Sequence, residues 1–198
     1  MAEKNLFFKI KKMKILGICG SHRKNFETEK SLDLALQICA EKNFSTEKIS
    51  LAEKKINFCC VCGRCAEKGE CAIADDGKKI LEKMRAADGI IFASPVYFGA
   101  VSARLKNIFD RSAALRKKFF LRDKFCTGIA VGRCRNGGQE FVLSQIQNFA
   151  NIHGMIFLGD DEHFGGTVVE SIENDEFGKK TVENSAEKLC RILQKIKN

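Results

Sequence analysis

Short apolar runs rich in Ile, Val and Phe alternate along the chain with segments whose apolar residues recur at helical spacing. The runs read as strands are Met13–Cys19 (MKILGIC), Thr46–Leu51 (TEKISL), Gly89–Ser94 (GIIFAS), Cys126–Gly132 (CTGIAVG) and Met155–Gly159 (MIFLG). Between the first two, Leu32, Ala35, Leu36 and Cys39 stand at i, i+3, i+4 and i+7, which predicts a helix from about Thr28 to Asn43. Val101, Leu105, Ile108 and Phe109 repeat the pattern after the third strand, as do Val182, Ala186, Leu189, Leu193 and Ile196 near the end. DDGKKILEKMRAA predicts another helix, with Asp75 as N-cap and Ile80, Leu81, Met84 and Ala87 facing the core. Strands alternating with crossover helices predict an α/β class, a βα unit repeated five times around a parallel sheet. Asn57–Ala74 alone lacks a period, and it reads as an insertion between the second strand and its helix.

Composition narrows this picture. With 198 residues, 44% of them hydrophobic and 30% charged, the chain suits one globular domain over 1–198, carrying 57–74 as its insertion. No apolar run approaches the roughly 20 residues of a membrane helix. MAEKNLFFKIKKMK has a four-residue apolar stretch and no small-residue cleavage site, which predicts no secretory leader and a cytoplasmic protein. The net charge of +9 comes from lysines scattered along the chain without aromatic interleaving, the mark of a solvated basic surface rather than a nucleic-acid platform. Such a field also steers acidic protein partners.

In an open parallel sheet, ligands bind beyond the carboxyl ends of the strands where strand order reverses, here the loops after strands one, three and four. The first, GSHRKNFETEKSL, offers Gly20 for a tight turn, the hydroxyls of Ser21 and Thr28, and the charges of Arg23 and Lys24 beside a helix N-terminus, a set suited to one phosphate. It is neither GxGxxG nor GxxxxGKS, so no dinucleotide or P-loop nucleotide is indicated. The second, SPVYFGAVSARLKNIFDR, presents Pro95, Val96, Tyr97, Phe98 and Gly99 before Ser102 opens a helix; such a loop suits a flat ring or a neighbouring subunit. In the third, GRCRNGGQE, Gly137 and Gly138 admit close approach, with Arg133, Arg135, Asn136 and Gln139 as polar neighbours.

From Met13 to the C-terminus these loops resemble the NAD(P)H-dependent FMN reductase group of flavodoxin-like proteins. GSHRKNFETEKSL is similar to the group's phosphate loop GSPRKxGNTxxL, SPVYFGAVSARLKNIFDR to its segment along the flavin ring, and GRCRNGGQE to its third flavin loop. The resemblance implies a doubly wound five-stranded sheet of order 2-1-3-4-5. It also implies FMN held by Ser21, Arg23, Asn25, Thr28, Pro95, Val96, Tyr97, Phe98, Gly99, Ser102, Gly132, Arg135, Asn136, Gly137 and Gly138. His22, Phe26 and Glu27 depart from the pattern, and Phe26 and Glu27 are not carried over as ligands.

CCVCGRCAEKGEC, Cys59 to Cys71, holds five of the ten cysteines. A disulfide staple belongs to small secreted domains. A structural zinc usually joins two C-x2-C knuckles across a spacer that is missing here. Cys59, Cys62, Cys65 and Cys71 form C-x2-C-x2-C-x5-C, and thiolates from so tight a loop suit the corners of a 4Fe-4S cluster, with Cys60 a bystander or a substitute for Cys59. The spacing resembles that of the iron-sulfur flavoprotein branch of the same group. Cys19, Cys39, Cys126 and Cys190 read as core residues, Cys134 as buried, and the three histidines lack ligand spacing.

The expected function is electron transfer between a one-electron carrier such as ferredoxin and a small acceptor through the cluster and FMN, in a homodimer or homotetramer and with no assigned catalytic side chain. NAD(P)H is a further candidate donor. The alternatives are a cluster-free NAD(P)H-dependent FMN or quinone reductase, whose cysteines bind zinc or nothing, and a redox-responsive binding protein.

Overall fold

A computed structural model describes residues 12–197, so the leader reading of the first stretch concerns residues mostly outside the described ones. The elements are β1 (Lys14–Cys19), α1 (Glu27–Glu41), β2 (Ser45–Ser50), α2 (Cys65–Lys68), α3 (Asp76–Ala86), β3 (Gly89–Pro95), α4 (Ala103–Arg111), α5 (Ala113–Arg116), β4 (Phe125–Gly132), α6 (Gln139–His153), β5 (Ile156–Phe157), β6 (Gly166–Val169) and α7 (Glu176–Lys197). All pairings are parallel and the order is β2-β1-β3-β4-β5, with β6 also on β4.

The inner strands are apolar throughout because both faces are covered. Leu16, Ile18, Ile90 and Phe92 face one layer with Ile80, Leu81 and Met84 of α3, Leu105 and Ile108 of α4, and Val142 and Ile146 of α6. Ile15, Cys19, Ile91 and Ala93 face the other, with Leu32, Ala35, Leu36 and Cys39 of α1 and Val182, Ala186 and Leu189 of α7. The Asp75 carboxylate caps α3 by accepting from the Lys78 amide at 3.3 Å. No helix among the described residues is long and apolar enough to cross a membrane.

Two expectations are refined. The fifth strand is split: β5 pairs only with Phe125 and Cys126, and the same lane resumes when β6 pairs with Ile129–Gly132. The buried carboxylate of Asp160 causes the break, accepting the amides of Glu162 and His163 and turning the chain out of the sheet. Ile196, expected on the core face of α7, is 63% exposed. Leu193 already packs against Gly89 at the start of β3, so the next turn overshoots the sheet.

Candidate functional site

The three loops named from sequence meet at one end of the sheet. Ser102, fully buried, donates from its hydroxyl to Gly20 O at 2.6 Å, caps α4 through the Leu105 amide at 3.2 Å, and donates its own amide to Ser94 Oγ at 2.9 Å. The third-strand loop is thereby tied to the first. It is tied to the fourth-strand loop by close packing: a Cβ on Gly138 (φ +102°) would lie 3.1 Å from Gly99 Cα and 3.2 Å from Val96 Cγ1. The His22 and Tyr97 rings meet edge to face at 5.6 Å.

Within the first loop, Ser21 Oγ accepts the Arg23 amide at 3.0 Å and donates to Arg23 O at 2.9 Å, fixing the turn, while Asn25 takes a left-handed φ of 57°. The departures at Phe26 and Glu27 have structural uses. Phe26 is the α1 N-cap residue and its ring carries the Arg23 guanidinium at 3.9 Å; Glu27 accepts the Ile172 amide at 2.9 Å, away from the loop. Among the described residues no side chain caps α1. The Glu29 amide turns back to Phe26 O at 2.8 Å, which leaves the Glu27 and Thr28 amides and the free face of Arg23 for an anion, whereas Lys24 is committed to Glu53. Burial acts to raise the pKa of Glu29, but hydrogen bonds from the Asn25 amide and Lys48 outweigh it and lower the pKa, so a carboxylate braces the loop from behind.

Beyond β3, Tyr97 and Ala100 exchange backbone hydrogen bonds at 3.1 and 3.0 Å around Phe98 (φ 51°) and Gly99 (φ 72°), a type I′ turn. Phe98 is held in a conformation unfavourable for its side chain and is wholly exposed. Gln145 of α6 clamps this turn, accepting the Val101 amide at 3.1 Å and donating to Gly99 O at 3.2 Å. Arg135 and Asn136 point the other way, into a cleft of about 340 Å³ shared with His163, Phe164 and Phe177. Cys134, expected to be buried, is exposed, because the loop turns its backbone inward instead, with Cys134 O accepting from Gln139 at 2.9 Å.

The cysteine insertion and the segment leading into it hang from one face of α4. Arg104 donates to Leu51 O at 2.9 Å, Asn107 to Ile56 O at 3.0 Å, and Arg111 to Asn57 O at 2.8 Å and Ile73 O at 3.3 Å. Arg111 is also paired with Asp75 through two 2.9 Å bonds, and its Nε donates to Cys71 Sγ at 3.2 Å. Its side chain is fully buried. In SARLKNIFDR the apolar period marks the buried face of α4, and the polar register at 104, 107 and 111 is an i, i+3, i+7 signal in its own right.

All ten cysteines are free, so no disulfide staples the insertion. Cys65 and Cys71 are half-buried against the core, Cys59 is half-buried, and Cys60 and Cys62 are exposed. Hydrogen bonds from the Arg64 amide and guanidinium hold the Cys62 thiol below its ordinary pKa. Among the described residues no three His, Cys, Asp or Glu side chains converge on a metal-sized point. The donor set nonetheless suits iron: thiols dominate it, N–H donors are aimed at two of the sulfurs, and of the two carboxylates in the motif Glu70 is engaged by Lys78. The flavin loops suit FMN through an uncapped helix start beside Arg23 and backbone-lined walls at Gly99 and Gly138.

A doubly wound sheet with these loops at its carboxyl end defines a flavodoxin-like redox protein, and the chain belongs to the NADPH-dependent FMN reductase family, which matches residues 13–167. It is an FMN-dependent oxidoreductase. Within that family it stands in the iron-sulfur flavoprotein branch. It is 45% identical over 185 residues to an iron-sulfur flavoprotein of Methanosarcina thermophila, covering 93% of this chain and 97% of that one. It is 47% identical over 192 residues to one of Methanocaldococcus jannaschii, covering 93% and 100%. Among solved structures, an NADH:FMN oxidoreductase in its apo form superposes with a TM-score of 0.70 at 18% identity, covering 91% of this chain and 89% of that one. At that identity the likeness establishes the fold alone.

Proposed function

We propose that the protein passes electrons between a one-electron carrier, of the ferredoxin type or another, and a small acceptor, using FMN at the three loops and a 4Fe-4S cluster on Cys59, Cys62, Cys65 and Cys71. The observation that carries this reading is the double duty of α4. Its N-cap, Ser102, is bonded to Gly20 of the candidate phosphate loop, Arg111 holds the cysteine insertion at Asn57, Cys71 and Ile73, and Arg104 and Asn107 hold the segment that leads into it at Leu51 and Ile56. One rigid helix sets the distance between the two candidate cofactor sites. Bound FMN supplies both paired and single-electron chemistry, and a cluster supplies single-electron transfer.

The residues have separable roles. Arg23, Ser21, Asn25, Thr28 and the start of α1 hold the phosphate. Pro95 to Gly99 border one face of the ring, with Tyr97 and Phe98 as its aromatic edge, and Gly132 with the backbone of Arg135 to Gly138 forms the opposite wall, the Arg135 and Asn136 side chains being turned into the neighbouring cleft. Ser102 braces these walls rather than presenting its hydroxyl, which is already engaged at Gly20 and Leu105. The names of the relatives support iron and sulfide at the insertion. The family description keeps NADPH as a second donor class, and the unconverged sulfurs favour the cluster-free reductase as the rival.

The test is anaerobic purification followed by flavin, iron and sulfide analysis. FMN with about four irons per chain is expected, and the spectrum should bleach on reduction. FAD, or zinc in place of iron, overturns the assignment.

A further inference from the structure

The insertion is packed against a second feature that the site has not used. Ala113–Arg122 carries Arg116, Lys117, Lys118 and Arg122 and no acidic residue. Lys117, Lys118 and Arg122 are exposed, as are Arg64 and Lys68 on the insertion and Arg85 on α3. Neighbouring Lys78 and Lys106 are paired with Glu70 and Asp110, whereas none of these six has an ion-pair partner among the described residues. The acidic residues nearby are Glu67, Glu70, Glu82 and Asp123, of which Glu70 is already paired.

The two segments form one surface. Gly69, which ends α2 with φ +69°, lies under the Phe120 ring: a Cβ there would come within 2.8 Å of Phe120 and 3.2 Å of Lys118 Cδ. Three guanidiniums on this surface are also held against rings. Arg85 stacks on Phe120 at 3.7 Å, and Arg116 and Arg122 lie over Phe119 at 3.8 and 4.1 Å. Keeping unpaired like charges side by side works against the folded state unless something negative meets them. With the Phe119 and Phe120 faces already occupied by guanidiniums, neither ring of this basic segment is free to stack a base, which favours an acidic protein over a nucleic acid.

We infer that Arg64, Lys68, Arg85, Lys117, Lys118 and Arg122 form the docking face for an acidic protein partner, which they bring against the exposed end of the cysteine insertion. The purpose of that docking rests on the electron-transfer reading above; the docking itself does not. Fast, salt-sensitive encounter over a small area is how transient redox partners meet.

The test uses the holoprotein and a small acidic ferredoxin as probe. Stopped-flow reduction is followed at low and high ionic strength for the parent, for Lys117→Glu/Lys118→Glu, and for Lys179→Glu/Lys180→Glu, an equal charge change at exposed positions of α7. Photoreduced 5-deazariboflavin, a neutral reductant, serves as reference. The parent rate should fall steeply with salt, and the first variant should lose about tenfold or more at low salt, within the range of electrostatic steering. The second variant should stay within about threefold, and the deazariboflavin rate should not change. Equal loss in both variants, or no loss in the first, overturns the face. Tighter binding of random single-stranded RNA than of ferredoxin, abolished by the first variant, overturns the protein partner. If calorimetry shows ferredoxin binding that depends on Lys117 and Lys118 yet no electrons enter, the docking face stands and the electron-transfer reading falls.

Discussion

Replacing Arg111 by Met removes the charge while keeping a side chain of similar reach. It deletes two bonds to Asp75 at 2.9 Å, two to the carbonyls of Asn57 and Ile73, and the one to Cys71 Sγ. The Arg111 side chain is fully buried and that of Asp75 is 6% exposed, so the pair is hardly weakened by solvent and the carboxylate left behind is poorly hydrated. Removing one member of a buried pair costs about 3–5 kcal/mol. Against a total stability of about 5–15 kcal/mol, the variant should fold but with a clearly lower urea midpoint and an unchanged slope. Asp75→Asn keeps the hydrogen-bonding shape that caps α3, so a double-mutant cycle isolates the pair, with an expected coupling of about 1–3 kcal/mol. The pH dependence is a second signature. Burial alone would raise the pKa of Asp75, but the hydrogen bonds from Arg111 and the Asn57 amide prevail and hold it far below the ordinary carboxylate range. A depressed folded-state pKa means stability present above about pH 4 and lost as pH falls below it. That acid limb should be shallower in Arg111→Met. A cost under about 1 kcal/mol, or additive effects of the two substitutions, would refute the view that this buried pair anchors the insertion.

Arg23→Ala should weaken FMN binding by roughly one to two powers of ten and leave riboflavin unaffected, measured by fluorescence quenching; equal loss for both flavins removes the phosphate role. Cys65→Ser should lose or convert the cluster and retain FMN, read from iron, sulfide and flavin content after a sizing column; a full four-iron spectrum in the variant denies Cys65 its place as ligand. Gln145→Ala should loosen the turn at Phe98, seen as faster amide exchange at Val101, whose amide donates to Gln145 Oε1. Burial, with Arg116 adding to it, lowers the pKa of His153 to about 4, and its Nε2 lies 2.8 Å from Ser112 Oγ. The unfolded chain takes up this proton first, so stability should fall as pH drops from about 6.5 toward 4, by up to about 1.4 kcal/mol per unit. His153→Asn should flatten that slope in urea titrations.

The sheet and its helices were legible because burial leaves a local signature. Strands covered on both faces must be apolar throughout, and Leu32, Ala35, Leu36 and Cys39 state the buried face of α1 without reference to anything distant. Asp75 was readable as a cap for the same reason, since its partner amide at Lys78 is three residues away. The loop chemistry was legible as residue types in order, and so was the thiol spacing of the insertion.

Tertiary structure decided what those residues touch. Arg111 and Asp75 are separated by 36 residues and Ser102 and Gly20 by 82, and no period links positions so far apart. Phe26 and Glu27 looked like defects in a phosphate loop until the fold supplied Arg23 for the ring and the Ile172 amide for the carboxylate. The split of the fifth strand depended on whether Asp160 would be buried and turn the chain, and Cys134 faces solvent because Gln139 claims its carbonyl. Periodicity records how each residue sits about its own helix or strand axis. The partner that a buried polar group must find is set by how the chain closes, because an unpaired buried donor or charge costs more than the sequence can signal locally.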